Sequence, residues 1–206
     1  MIDIVNQLNA IRRQVSRRTA GDAEEVSVLL TRRYDAAIED VWDAITDPDR
    51  IKRWMMPISG DLRVGGKFQL EGNAGGEILQ CEPPRRLKVT FGGETSLVEV
   101  RLSTDGDEQT TLELEHTVPI EMAGGGAGAL YVGPGWDGAL MGLGLFLSGE
   151  AVGDPVKAAG SPEVQRFSKG SIEAWASEVE RSGTATADEL AAAKEVSLAQ
   201  FTPDLN

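Results

Sequence analysis

YDAAIEDVWDAITDPDRIKRWMMPISGDLRVGGKFQL, running from Tyr34 to Leu70, is the stretch whose reading decides the architecture. Ile38, Val41, Trp42 and Ile45 recur at helical spacing, which predicts an amphipathic helix over 38–46. Asp47-Pro48 ends it, because the residue before a proline avoids helical geometry. A short second helix is expected over 49–56. Gly65-Gly66 then turns the chain into a strand that carries Phe68 and Leu70 on one face.

Upstream of this stretch, Val26, Val28 and Leu30 alternate with Ser27, Leu29 and Thr31, which reads as a strand. Further back, Ile4, Leu8, Ile11 and Val15 fit helical spacing, so residues 2–17 are expected to form an amphipathic helix. Its other face, with Arg12 and Arg13 and with Arg17 and Arg18 just beyond, would be solvated or would bind a partner, and Gly21-Asp22 would end this piece. Downstream, strands are expected at 59–62, 66–71, 77–82, 86–91, 96–103 and 110–118. Gly72 to Gly76, Pro83-Pro84, Gly92-Gly93 and Asp105-Gly106 separate them. Such short connections imply an antiparallel meander.

Residues 123–135, AGGGAGALYVGPG, read as a long mobile loop. From Trp136 to Ser148 the chain is apolar nearly all round, as expected of a helix buried on more than one side. Close packing should offset its interior glycines, Gly138, Gly142 and Gly144. In the tail, Ser161-Pro162 opens a helix that Gly183 closes, and Thr186 with Glu189 forms the capping box of a last one. Three segments result: an N-terminal helix over 1–22, a central domain over 23–149 and a helical extension over 150–206.

A formal net charge of −13 argues against a nucleic-acid partner, which needs a basic face, and against anionic membranes. No apolar run approaches the ~20 residues of a bilayer span. The N-terminus lacks the apolar centre of a secretory signal. The single cysteine, Cys81, excludes an internal disulfide and fits a reducing compartment, so a cytoplasmic protein is expected. One histidine and one cysteine cannot make a zinc site, and no cofactor is implied. Gly124-Gly125-Gly126 and Gly65-Gly66 lack the Lys-Ser/Thr and the strand–helix context of phosphate-binding loops. Glu39, Asp40 and Asp43 lie on the polar face of their helix, a solvated position.

The order of strand, two helices, long meander and final helix resembles the SRPBCC superfamily of START and birch-pollen-allergen-like proteins, in its branch of heat-shock ATPase activator homologues. The residues carrying the resemblance are Val41-Trp42-x-Ala44-Ile45-Thr46-Asp47-Pro48, Arg53-Trp54, Asp61-Leu62-Arg63-x-Gly65-Gly66-x-Phe68 and Pro83-Pro84-Arg85-Arg86-Leu87. Leu114-Glu115-His116-Thr117 and Gly135-Trp136 complete the set, and the likeness spans roughly residues 26–148. The chain departs from the branch in its glycine-rich 123–135 segment and in its tail past residue 149. The resemblance implies an α+β helix-grip fold, a curved antiparallel sheet wrapped around a long C-terminal helix, here with extra N- and C-terminal helices. It also implies a cavity between sheet and helix.

Side-chain alternation then nominates the lining of that cavity. Candidates are Phe68, Leu70, Val89, Phe91, Val98, Val100, Leu114 and His116 on strands, with Trp136, Leu140 and Leu143 on the helix. The strand at 77–82 stays ambiguous, since Ile78 with Gln80 and Leu79 with Cys81 are both acceptable inward pairs. Trp54 and Met55, with Met56, would either line the cavity entrance or pack helix onto sheet. His116 is either a packed residue or the polar anchor of a ligand. Cys81 reads as a small core residue.

Three functions remain open. The first is a non-catalytic module that binds a small apolar or amphipathic molecule. The second is a polyketide cyclase or aromatase-like enzyme, which would need His116 or an inward carboxylate as its base, and no catalytic residue is assigned. The third is a protein-interaction or co-chaperone-like module. A homodimer through the 136–148 helix and the tail is one option, and the tail covering that helix within one chain is the other.

Overall fold

A computed structural model describes residues 1–206 except Asp22, Asp105, Asp107, Ala151, Val152 and Asn206. Eight strands form one antiparallel sheet: β1 (Ile11–Ala20), β2 (Ala23–Tyr34), β3 (Ile58–Gly60), β4 (Lys67–Leu70), β5 (Gly75–Glu82), β6 (Arg86–Thr90), β7 (Leu97–Thr104) and β8 (Thr110–Pro119). Their order across the sheet is β1-β2-β8-β7-β6-β5-β4-β3. The strands from β3 to β8 form the expected meander, and β2 returns to pair with β8.

The helices are α1 (Ile4–Asn9), α2 (Ile38–Thr46), α3 (Pro48–Ile51), α4 (Ile120–Ala123), α5 (Ala129–Leu147), α6 (Pro155–Ala159), α7 (Pro162–Ser182) and α8 (Ala187–Phe201). The concave face of the sheet grips α5, and α7 and α8 cover the far side of α5 within the same chain. This is the helix-grip fold with added terminal elements.

Local chemistry accounts for the element ends. Asp47 is extended and caps α3, accepting from the Asp49 amide at 2.8 Å. The side chain of Ser161 accepts from the Val164 amide to start α7, and Gly183 ends it in the left-handed conformation. Thr186 and Glu189 form a full capping box on α8.

Four expectations are corrected. Residues 2–17 are not one helix: α1 stops at Asn9 and residues 11–20 are β1, paired along its whole length with β2. Ile11 and Val15 are four apart, a spacing that satisfies both the helical and the strand period, and the open edge of β2 decides for the strand. Of the arginines assigned to a solvated face, Arg13 is instead held inside. The glycine-rich stretch is not a long loop either, because a single 3₁₀ turn at Gly126–Gly128 leads straight into α5. The predicted 49–56 helix shrinks to α3 and one following turn. Gly21 takes positive φ at the β1–β2 hairpin, while Asp22 and Asp105 of the predicted turns lie outside the described residues.

Helix α5 carries Pro134, which has no amide hydrogen to donate to the carbonyl of Leu130. The hydroxyl of buried Ser197 on α8 donates to that carbonyl at 2.7 Å in its place. Two of the interior glycines have packing reasons. A Cβ on Gly142 would lie 2.8 Å from the Trp54 carbonyl, and one on Gly144 would lie 2.4 Å from Nη2 of Arg32. Gly138 is different, with open space where its side chain would be.

Candidate functional site

Strand register aligns the inward residues into rows across the sheet. One row is Ile78, Val89, Val98, His116 and Val28; the next is Cys81, Leu87, Val100, Leu114 and Leu30. The outward residues of the same strands carry charge: Glu99 meets Arg86 and Arg101, and Arg101 meets Glu113 and Glu115. A register shift between Ile78 and Gln80 resolves the ambiguity of β5. The bulge flips the parity, so Ile78 and Cys81 share the concave side and Leu79 is left exposed. Neither of the two expected inward pairs is therefore right. Cys81 is not a core residue: it is exposed at the cavity rim, and partial burial raises its thiol pKa.

Between sheet and α5 lies an inner cavity of about 200 Å³. Trp54, Met55, Phe68, Leu70, Val89, Phe91, Val98, Val100, Leu114, Trp136, Leu140 and Leu143 all line it. His116, the remaining candidate, faces a second and larger space. This outer chamber, of about 720 Å³, lies between α5, the 71–73 turn and the tail elements α6, α7 and α8. Sequence reasoning missed it, because no pattern within one segment shows where a tail folds back.

Trp54, Met55, Phe91, Trp136 and Ala139 belong to both linings and so form the wall between the two spaces. The Trp54 indole N–H donates to the Ala44 carbonyl at 2.9 Å, one of the carbonyls that the end of α2 leaves unpaired. Phe91 and Trp136 have ring centroids 5.1 Å apart. Trp136 donates its indole N–H to Nδ1 of His116 at 3.1 Å, and Nε2 of His116 lies 2.8 Å from the Ser96 hydroxyl. An indole can only donate, so Nδ1 is the acceptor and the neutral ring carries its proton on Nε2. Burial holds the His116 pKa down at about 4. Both ring nitrogens are therefore engaged and the ring is uncharged near neutrality.

Next to Trp136 on α5 stands Asp137, fully buried and turned toward α7. Its Oδ2 accepts from Arg13 Nε at 2.8 Å, from Ser171 Oγ at 2.5 Å and from Trp175 Nε1 at 3.2 Å. Burial raises its pKa, and the Arg13 charge pulls the other way. Gly133 lets the Trp175 ring lie against α5, since a Cβ there would meet the ring at 2.5 Å. The helix thus presents Trp136 to the cavities and Asp137 to the tail. Neither Asp137 nor Ser171 was a candidate from sequence. A carboxylate inside an otherwise apolar helix was the signal that could have found them.

Among the described residues no cluster of side chains could hold a metal ion, and no helix is long and apolar enough to cross a membrane. The arrangement can enclose an apolar group in the inner cavity and hydrogen-bond a polar one in the outer chamber.

Residues 35–147 match the family described as Activator of Hsp90 ATPase homolog 1-like protein. No curated protein matches the chain. Among solved structures, CalU16 from Micromonospora echinospora is 46% identical in its crystal structure, with a TM-score of 0.68 over 82% of this chain and 98% of that one. Its solution structure gives 44% identity and a TM-score of 0.69 over 84% and 97%. DynU16, described as a putative protein in the dynemicin biosynthetic locus, is 25% identical, with a TM-score of 0.50 over 59% of this chain and 47% of that one. The likeness to CalU16 covers more of the chain than the family segment, so it reaches into the flanking elements. With more than half of its residues inside the family match, the chain belongs to the Activator of Hsp90 ATPase homolog 1-like family.

Proposed function

We propose that the protein binds a small apolar or amphipathic molecule in the inner cavity between sheet and α5. The observation that carries this reading is the cavity itself: about 200 Å³ of space between sheet and helix, walled mostly by aliphatic and aromatic side chains, with Thr46, Arg63 and Cys81 as its polar lining residues. Pockets that take small organic ligands have this composition, with few polar groups at fixed positions. The relative DynU16, described as a protein of a biosynthetic locus, favours a biosynthetic product or intermediate as the guest.

A cyclase-like reaction finds less support. Of the bases it could use, His116 has its Nδ1 lone pair occupied by the Trp136 indole and its basicity suppressed by burial, and the buried carboxylate of Asp137 is turned toward α7 and held by Arg13, Ser171 and Trp175. The interaction-module reading has the family description behind it, but the apolar helix α5 is already covered by α7 and α8.

A neutral bicyclic probe, 2-naphthol, tests the proposal. The unfolding midpoint should rise with probe concentration, as mass action requires of a ligand that binds only the folded chain. Val100→Phe, which fills the cavity from the sheet side, should abolish the rise. No rise with the unaltered protein, or an equal rise with the filled variant, would overturn the assignment.

A further inference from the structure

The outer chamber has a chemistry of its own. Five aromatic residues line it: Trp54, Phe91, Tyr131, Trp136 and Phe201. Its charged lining residues are Glu71, Glu150 and Glu163, and among the described residues lining it there is no lysine or arginine. The one cation there is the α-amino group of Met1, on a residue left wholly exposed. His116, on the same aromatic wall, is neutral near pH 7 and hydrogen-bonded to Trp136 and Ser96. The chamber adjoins the inner cavity across the shared side chains of Trp54, Met55, Phe91 and Trp136, so a ligand whose body lies in the first space needs only these side chains to part for its head group to lie in the second.

We infer that the outer chamber receives the polar end of the ligand and that this end is a protonated amine. The inference rests on the inner-cavity reading and adds the class of molecule. Aromatic faces attract organic cations through their quadrupoles, and most strongly where water is partly excluded. Carboxylates at the rim add Coulomb attraction and repel an anion of the same shape. The overall charge of −13 draws cations toward the mouth and disfavours anionic guests. An uncharged wall histidine removes the repulsion that an imidazolium would exert on an ammonium group. A hydrophobic amine satisfies both compartments at once, whereas a fatty acid or a sulfonate satisfies only the inner one.

The test uses three probes with the same 2-naphthyl body and short alkyl chain, ending in trimethylammonium, hydroxyl or sulfonate. Binding to the full chain is measured by titration calorimetry at low salt. The ammonium probe should bind tightest and the sulfonate weakest. The gap should be about tenfold, the order a partly solvated charge interaction supports, and it should narrow as salt is added. The double variant Glu71→Gln, Glu150→Gln, which spares the Glu163 bond to the Ile2 amide, should shrink that gap several-fold, through weaker binding of the ammonium probe. Equal affinities for the three probes, a sulfonate that binds tightest, or a gap that survives in the double variant would each overturn the inference and leave the inner cavity standing. If none of the three binds, the inner-cavity proposal falls with it.

Discussion

Trp136 donates its indole N–H to Nδ1 of His116, and this one bond fixes the tautomer of the only histidine in the chain, while burial keeps the ring neutral. Because the folded ring titrates near 4 and an unfolded one near its ordinary 6.5, the unfolded chain takes up a proton that the folded chain refuses. The contribution is complete above the unfolded value. It is lost as pH falls from 6.5 towards 4. The loss amounts to roughly 3 kcal/mol for the whole shift. Urea unfolding of the protein and of His116→Phe between pH 7 and pH 4 checks this. Subtracting the variant removes the common carboxylate titrations, and parallel curves would show that His116 contributes nothing in that window.

Ser197 supplies the hydrogen bond that Pro134 denies to Leu130. Ser197→Ala should therefore cost about 1–3 kcal/mol, the penalty of a buried carbonyl left without a donor. Pro134→Ala restores an amide at that turn of the helix. In its background the cost of Ser197→Ala should fall, a coupling that a double-mutant cycle reads directly. Equal costs in both backgrounds would contradict the substitution of one donor for the other.

The glycines of α5 should separate by their neighbours. Gly138→Ala meets nothing within 4 Å and should stabilise the helix by about 0.5–1 kcal/mol. Gly144→Ala places a methyl against the Arg32 guanidinium, which is itself held by Gln7 at 2.7 Å, and should destabilise. Denaturant midpoints of the two variants should move in opposite directions.

Removing the carboxylate with Asp137→Ala leaves Arg13 buried without its counter-charge. A loss of about 3–5 kcal/mol is expected, in line with stranding one member of a buried pair. The tail should loosen too, since Ser171 and Trp175 lose their acceptor, and limited proteolysis should then cut first in 148–187. A tail as resistant as before would show that α7 is held by apolar packing alone.

Much of this was legible because local rules and tertiary demands agree. The caps at Ser161, Gly183 and Thr186 are set by residues within one turn, and each appears where the sequence placed it. The inward residues of β4, β6, β7 and β8 face the sheet side that the sequence assigned them, because period-two alternation on an unbulged, half-buried strand has one solution. Other positions depend on distant partners. Residues 11–17 fit helix and strand equally, and only the free edge of β2 chooses. Pro134 looked like a loop residue because the donor that compensates for it lies in α8. The bulge after Ile78 left no mark in residue type, so the inward face of β5 could not be read. The His116 bond to Trp136 joins two residues that sequence reasoning had placed separately in the lining.

The back-to-back placement of Trp136 and Asp137 ties the lining of the cavities to the tail. Arg13 comes from β1, so stripping away everything after α5 would leave the carboxylate its counter-charge while removing its Ser171 and Trp175 donors and opening that face of the helix to water. An interior anchor would become an ordinary surface ion pair, worth at most about 1 kcal/mol.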